Sequence, residues 1–82
     1  MRYRLEIMNE VRLHLRALPK ELRRNIGSRL DGLQNDLSGD VKKLTARTDE
    51  YRLRVGSFRV LFTLEADLIR VYAVKNRKDA YE

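Results

Sequence analysis

Polar and apolar residues alternate strictly at the start of the chain. In "RYRLEI" (2–7), Tyr3, Leu5 and Ile7 fall on one side and Arg2, Arg4 and Glu6 on the other. A period of two marks a half-buried strand. The period then lengthens. Val11, Leu15 and Leu18 recur at helical spacing after Asn9, which reads as an N-cap, so residues 10–17 are predicted to form a short helix. Pro19 suits the first turn of a second helix, where its missing N–H leaves nothing unsatisfied. Leu22, Ile26, Leu30, Leu33 and Leu37 give that helix one apolar stripe, ending near Asp36. Gly27 and Gly32 interrupt it, and one of them is expected to allow a close approach to another helix or to a sheet.

A polar stretch, "NDLSGDVKKLTARTDE", reads as a connector, and after it the period returns to two. "EYRLRV", a Gly56-Ser57 turn, "FRVLFTL", a turn at Ala66-Asp67 and "LIRVYAV" predict a three-stranded antiparallel meander. Gly at the first position of a two-residue loop suits a type II′ turn. The order of strand, two helices and three strands predicts an α+β fold, with the helices on one face of the sheet.

Turn geometry sets the register of the meander. A two-residue loop pairs Val55 with Phe58, Arg54 with Arg59 and Leu53 with Val60. The inner face then holds Tyr51, Leu53, Val55, Phe58, Val60, Phe62 and Leu64, joined by Ile69, Val71 and Ala73. This all-apolar set supports the register. The outer face collects Arg52, Arg54, Arg59 and Arg70 with Leu61, Tyr72 and Val74, and no acid is expected between the arginines. Like charges directly opposite each other destabilise a sheet by about 0.2–1 kcal/mol per pair. An anionic ligand would turn that repulsion into bidentate contacts. Alternatively, the guanidinium groups fan into water while their stems cover the strands.

Composition sharpens the choice. The chain has 82 residues, which predicts one domain over 1–82, and its 18 Lys and Arg against 12 Asp and Glu leave a net charge of +6. Such an excess draws polyanions, namely nucleic acid, an acidic protein or a membrane surface. Arg outnumbers Lys, and Arg is the better bidentate phosphate binder. There is no cysteine, no apolar run near the ~20 residues of a membrane span, and no signal-peptide core at the N-terminus. A cytoplasmic protein without a membrane partner is the expectation.

The chemistry available is narrow. Without Cys there is neither a thiolate nucleophile nor a Cys-based zinc site, and His14 is the single histidine. The serines have no His in a suggestive context, the acids form no evident pair, and no glycine-rich phosphate loop occurs. No metal or cofactor is expected. Catalysis would rest on Arg, Lys and Tyr, which restricts it to phosphoryl transfer by positioning and charge stabilisation. The C-terminal "VKNRKDAYE" adds Lys75, Arg77, Lys78 and Tyr81 directly after the last strand. Tyr81 beside these cations is suited to stacking on a base or to proton transfer, and equally to anchoring the tail.

In order and spacing, "LRALPKELRRNIGSRLDGL", "VKKL", "YRLRVGSFRVLF" and "IRVYAVKNRKDAY" resemble the RelE/ParE toxin superfamily, specifically its RelE-like branch, over nearly the whole chain. The resemblance implies a toxin of a type II toxin–antitoxin system that cuts mRNA in the ribosomal A site. There the ribose 2′-OH attacks the adjacent phosphate and leaves a 2′,3′-cyclic phosphate. Arg52 and Arg54 fall where the family has basic residues on the first meander strand, and Arg59 falls on the family's arginine of the next. Lys75 or Arg77 matches the basic residues that follow, and Tyr81 the C-terminal tyrosine. These six are the implied catalytic set, with Arg70, Tyr72 and Lys78 as implied RNA contacts. Two departures bear on mechanism. Arg stands at 52 and 54 where the best-studied branch has Lys; Arg does not lose its proton, so Lys75 or Tyr81 is left as the base. Asn76 stands where many relatives have His, which disfavours the His- and Glu-dependent variant.

Two other functions fit the same fold: a ParE-like toxin that poisons DNA gyrase, and a non-catalytic module that binds RNA or pairs with an antitoxin. The residues retained at 52, 54, 75 or 77 and 81 favour the RelE-like reading. The implied partners are a cognate antitoxin, in a possible hetero-oligomer, and mRNA with ribosomal RNA. Leu61, Tyr72 and Val74, or the stripe of the first helix, are candidate surfaces for the antitoxin.

Overall fold

The computed structural model describes residues 2–44 and 49–76. Strand β1 (Arg4–Ile7) leads into helix α1 (Asn9–Arg16) and helix α2 (Lys20–Asp36), followed by β2 (Asp40–Lys43), β3 (Glu50–Val55), β4 (Phe58–Glu65) and β5 (Leu68–Asn76). The five strands form one mixed sheet in the order β1-β5-β4-β3-β2, with β1 parallel to β5 and every other pairing antiparallel. The α+β reading holds, and the sheet has one strand more than the pattern predicted. That strand, β2, lies inside the stretch read as a connector. Its four residues carry a single apolar side chain, Val41, and it occupies the sheet edge, where charged side chains discourage further pairing.

The helices cover one face. Ile26, Leu30 and Leu33 of α2 and Val11 of α1 are buried against Leu53, Val55, Phe58, Val60, Phe62, Ile69, Val71 and Val74 of the sheet. Leu15, Leu18, Leu22 and Leu37 pack at the margin of this core, so both predicted stripes are in place. Tyr51 stacks on Phe62 with ring centroids 5.5 Å apart. The start of α1 differs by one position: Met8 is the N-cap, no side chain caps the helix, and Asn9 already lies within it. Helix α2 ends with Leu37 in the left-handed conformation (φ 52°), and Ser38 Oγ donates to the Gly32 carbonyl at 2.7 Å. A Cβ on Gly32 would sit 3.2 Å from that same Oγ. The close approach therefore comes from the helix's own cap, and Gly27 has open space around it.

The Gly56-Ser57 turn has positive φ at Gly56 alone (60°), the signature of type II′, and it sets the predicted register: Val55 with Phe58, Arg54 with Arg59, Leu53 with Val60. One correction concerns β5. Between β4 and β5 the pairing runs Val60 with Val74 and Leu61 with Ala73, then jumps to Phe62 with Val71. This bulge admits Tyr72 as an extra residue. It turns Val74 into the core at 4% exposure and leaves Ala73 opposite Leu61 on the outer face, the reverse of strict alternation. Val74 is thus lost as a docking surface.

Candidate active site

With the inner face closed by helices, the candidate residues lie on the outer face of the sheet. Strand pairing strings its side chains into cross-strand rows. Asp40 pairs with Arg54, Arg54 with Arg59, and Arg59 with Lys75, so one row crosses β2, β3, β4 and β5 with an acid at one end and three cations after it. Directly opposed side chains start about 5 Å apart, which puts these three cations within a span of about 10 Å. The bulge brings Lys75 into this row. Without it, alternation would have turned Lys75 inward with Ala73. Arg52 belongs to the neighbouring row, between Lys42 and Leu61.

The expectation of arginines without an acid is overturned by Asp40. Its Oδ1 lies 3.4 Å from Arg52 Nη1, and its Oδ2 lies 3.9 Å from Arg54 Nε. Arg52 Nη1 also donates to the Asp40 carbonyl at 3.3 Å. The Arg52 side chain is consequently folded onto the sheet, 13% exposed, whereas Arg54 remains half exposed. Gly39 fixes where this acid enters. Its φ of 119° is open to glycine, and a Cβ there would meet Leu53 Cδ1 at 2.9 Å. Arg59 and Lys75 make no ion pair or hydrogen bond through their side chains among the described residues. Among the described residues, Arg52 and Arg54 are thus tethered and Arg59 and Lys75 have no ion pair.

Arg70 does not join them. Its row is Glu50, Thr63, Arg70 and Glu6, four residues along β4 from Arg59, or about 13 Å at the usual strand rise. Arg70 Nε forms an ion pair with Glu6 Oε1 at 3.3 Å, although no acceptor is aligned for a hydrogen bond from that buried N–H. Tyr72 lies nearer this end too: its hydroxyl donates to Glu50 Oε1 at 3.2 Å. Burial, and then the Glu50 charge, push the phenol above its ordinary value, so Tyr72 stays protonated and serves as a donor. The outer face is therefore polar in sense, cationic across Arg52, Arg54, Arg59 and Lys75 and balanced by acids at the other end. Arg77, Lys78 and Tyr81 lie outside the described residues.

Asp40 and Lys42 of β2, and Glu50 of β3, are charged residues of this face that the sequence pattern did not deliver. Glu50 opens a recognisable strand. Asp40 carried only a weak signal, a short Asp-Val-Lys-Lys after glycine, the composition of a protected edge strand.

Against known proteins, the toxin RelE3 of Methanocaldococcus jannaschii is 32% identical over 73 residues, spanning 83% of each chain. The chain belongs to the RelE toxin family. The RelE fold agrees throughout. A chain of the RelE–RelB complex from Pyrococcus horikoshii matches with a TM-score of 0.81 at 32% identity, over 94% of this chain and 97% of that one. The RelB–RelE antitoxin–toxin complex from Methanococcus jannaschii matches with a TM-score of 0.78 at 26% identity, over 93% and 94%. No family model matches the chain. Among the described residues, no helix of this RelE-family chain is long and apolar enough to cross a membrane.

Proposed function

We propose that this RelE-family toxin is a ribosome-dependent mRNA endonuclease of the cytoplasm, folded as one domain over 1–82. The reading rests on the row Arg54, Arg59 and Lys75 with Arg52 beside it. It is a cationic strip, two members of which have no ion pair among the described residues, and its length suits one or two phosphates of a single strand. In the reaction, the ribose 2′-oxygen loses its proton and attacks the adjacent phosphorus. The bond from phosphorus to the 5′-oxygen breaks, and that oxygen takes up a proton as it leaves. The products are a 2′,3′-cyclic phosphate and a 5′-hydroxyl end. Arg59 is placed to bind the non-bridging oxygens, whose charge rises in the pentacovalent transition state, and Arg52 and Arg54 flank it. Lys75 and Tyr81 are the candidates for moving protons, since a guanidinium does not give up its own. Arg77 and Lys78 extend the RNA contact beyond the strip, while Arg70 and Tyr72 contribute through the shape of the face, being held by Glu6 and Glu50.

The +6 charge suits docking among ribosomal RNA, with affinity falling steeply as salt rises. The relatives solved as RelE–RelB complexes support a cognate antitoxin as partner. Among the described residues, Leu13 of α1, 63% exposed, is the large apolar side chain most open to it. Primer extension on an mRNA in a purified translation system tests the reading, comparing wild type, Arg59→Ala and Tyr81→Phe with and without ribosomes. Cuts that need ribosomes and disappear in Arg59→Ala establish it. Absence of cuts in every condition transfers the assignment to gyrase poisoning or to a binding module without catalysis.

A further inference from the structure

Five cations, Lys42, Arg52, Arg54, Arg59 and Lys75, crowd one end of the outer face, and among the described residues a single carboxylate forms ion pairs with them. Asp40 holds Arg52 by two contacts, through Oδ1 and through its carbonyl, and holds Arg54 by a longer one. It stands at the β2 end of the row, three strands from Lys75. Electrostatics then grade the row. Negative charge at Asp40 offsets Arg52 and Arg54, which it touches, more than the more distant Arg59 and Lys75. A phosphate arriving on an ungraded strip of cations could settle in several registers, and only one of them aligns a 2′-oxygen for attack. On the graded strip, one register is favoured.

We propose that Asp40 is a positioning residue of this site: it occupies Arg52 and Arg54, so that the RNA phosphate is gripped by Arg59 and Lys75. The assignment rests on the endonuclease reading for its catalytic half, while its binding half stands on the geometry alone. Asp40 is well placed for such a role. Its side chain is 57% exposed, so its removal opens no cavity, and the glycine before it fixes its entry to the sheet.

The test uses the full chain and a short oligouridylate RNA, with affinity measured over a series of salt concentrations. Asp40→Ala and Asp40→Asn release two cations to the RNA. Binding therefore tightens, and the slope of log affinity against log salt steepens by about 0.7 for each phosphate newly contacted. In the Arg52→Ala/Arg54→Ala background the same substitution of Asp40 leaves the slope unchanged, because the groups it acts through are gone. In ribosome-dependent cleavage, Asp40→Ala lowers the maximal single-turnover rate at least tenfold while half-saturation moves to lower ribosome concentration, and Asp40→Glu restores most of the rate. An unchanged or shallower salt slope overturns the proposal, as does a slope change that persists without the two arginines. Loss of the acidic limb of the pH–rate profile with binding untouched also overturns it and makes Asp40 a general base instead. If wild type binds RNA but never cuts, the endonuclease reading falls, and the salt slopes still decide what Asp40 does.

Discussion

Val60 and Arg59 are adjacent on β4 and point to opposite faces, which makes them a matched pair of probes. Val60 is fully buried, with Leu53 on one side and Val74 on the other, both in the core. Val60→Ala removes two methyl groups. At about 0.8 kcal/mol each, the lost transfer energy is about 1.6 kcal/mol. The void adds to this to the extent that neighbours cannot close it, and sheet residues fixed by hydrogen bonds on both flanks close little, so the total is about 2–3 kcal/mol. For a domain of this length, each kcal/mol lowers Tm by roughly 4–8 °C, so the expected drop is about 8–24 °C. Arg59→Ala behaves differently. It removes a like charge directly opposite Arg54, a relief of about 0.2–1 kcal/mol, and loses the packing of its aliphatic stem, so stability changes by about 1 kcal/mol or less. Its cost falls on cleavage, about 10²–10³-fold if the guanidinium stabilises transition-state charge. Thermal denaturation of both variants, beside ribosome-dependent primer extension, reads the two effects separately. Equal losses of Tm would refute the assignment of faces on which the whole site depends.

The bulge makes its own prediction: Val74→Ala costs about 1–3 kcal/mol in urea denaturation, as a core valine should, whereas Ala73→Ser is close to neutral. Gly27→Ala is expected to raise stability by about 0.5–1 kcal/mol, since a helical glycine with no atom within 4 Å of the missing Cβ offers only backbone entropy to remove. The phenol of Tyr72 titrates above its ordinary 10.0. A raised folded-state pKa contributes stability that is complete below the unfolded value and lost as pH rises through the folded one, so Tyr72→Phe should soften the alkaline fall in stability. Ultraviolet titration of the phenolates checks this, and Glu50→Gln should reverse only part of the rise, because burial is its larger cause.

What the sequence made legible follows from how each feature is encoded. The β3–β4 hairpin was readable because Gly56 pins a two-residue turn and every later residue inherits its face from that point. Helix α2 was readable because its stripe of five apolar residues admits no other period. The bulge left no mark. Ala73 and Val74 are both small and apolar, so the inner face looks equally well filled under either register, and only packing against Val60 and Leu61 decides. Strand β2 was hidden because an edge strand that resists further pairing is built from the same charged residues as a loop. Asp40 went with it, so the face was read as a set of uncompensated arginines when the fold supplies the counter-charge from the neighbouring strand.

The parallel pairing of β1 with β5 joins Arg4 to Leu68 and Ile7 to Val71, a separation of 64 residues along the chain. Non-local contacts of this kind form late, because the intervening loop must first be closed. A nascent chain emerging N-terminus first therefore holds its opening strand without a partner until the last one is synthesised, and Lys75 is among the final residues of that strand. The cationic row and the sheet that carries it are completed together, when β5 has been made. Until β5 has been made, neither β1 nor β4 has its neighbour in the sheet, and the outer face that would serve the proposed activity is incomplete.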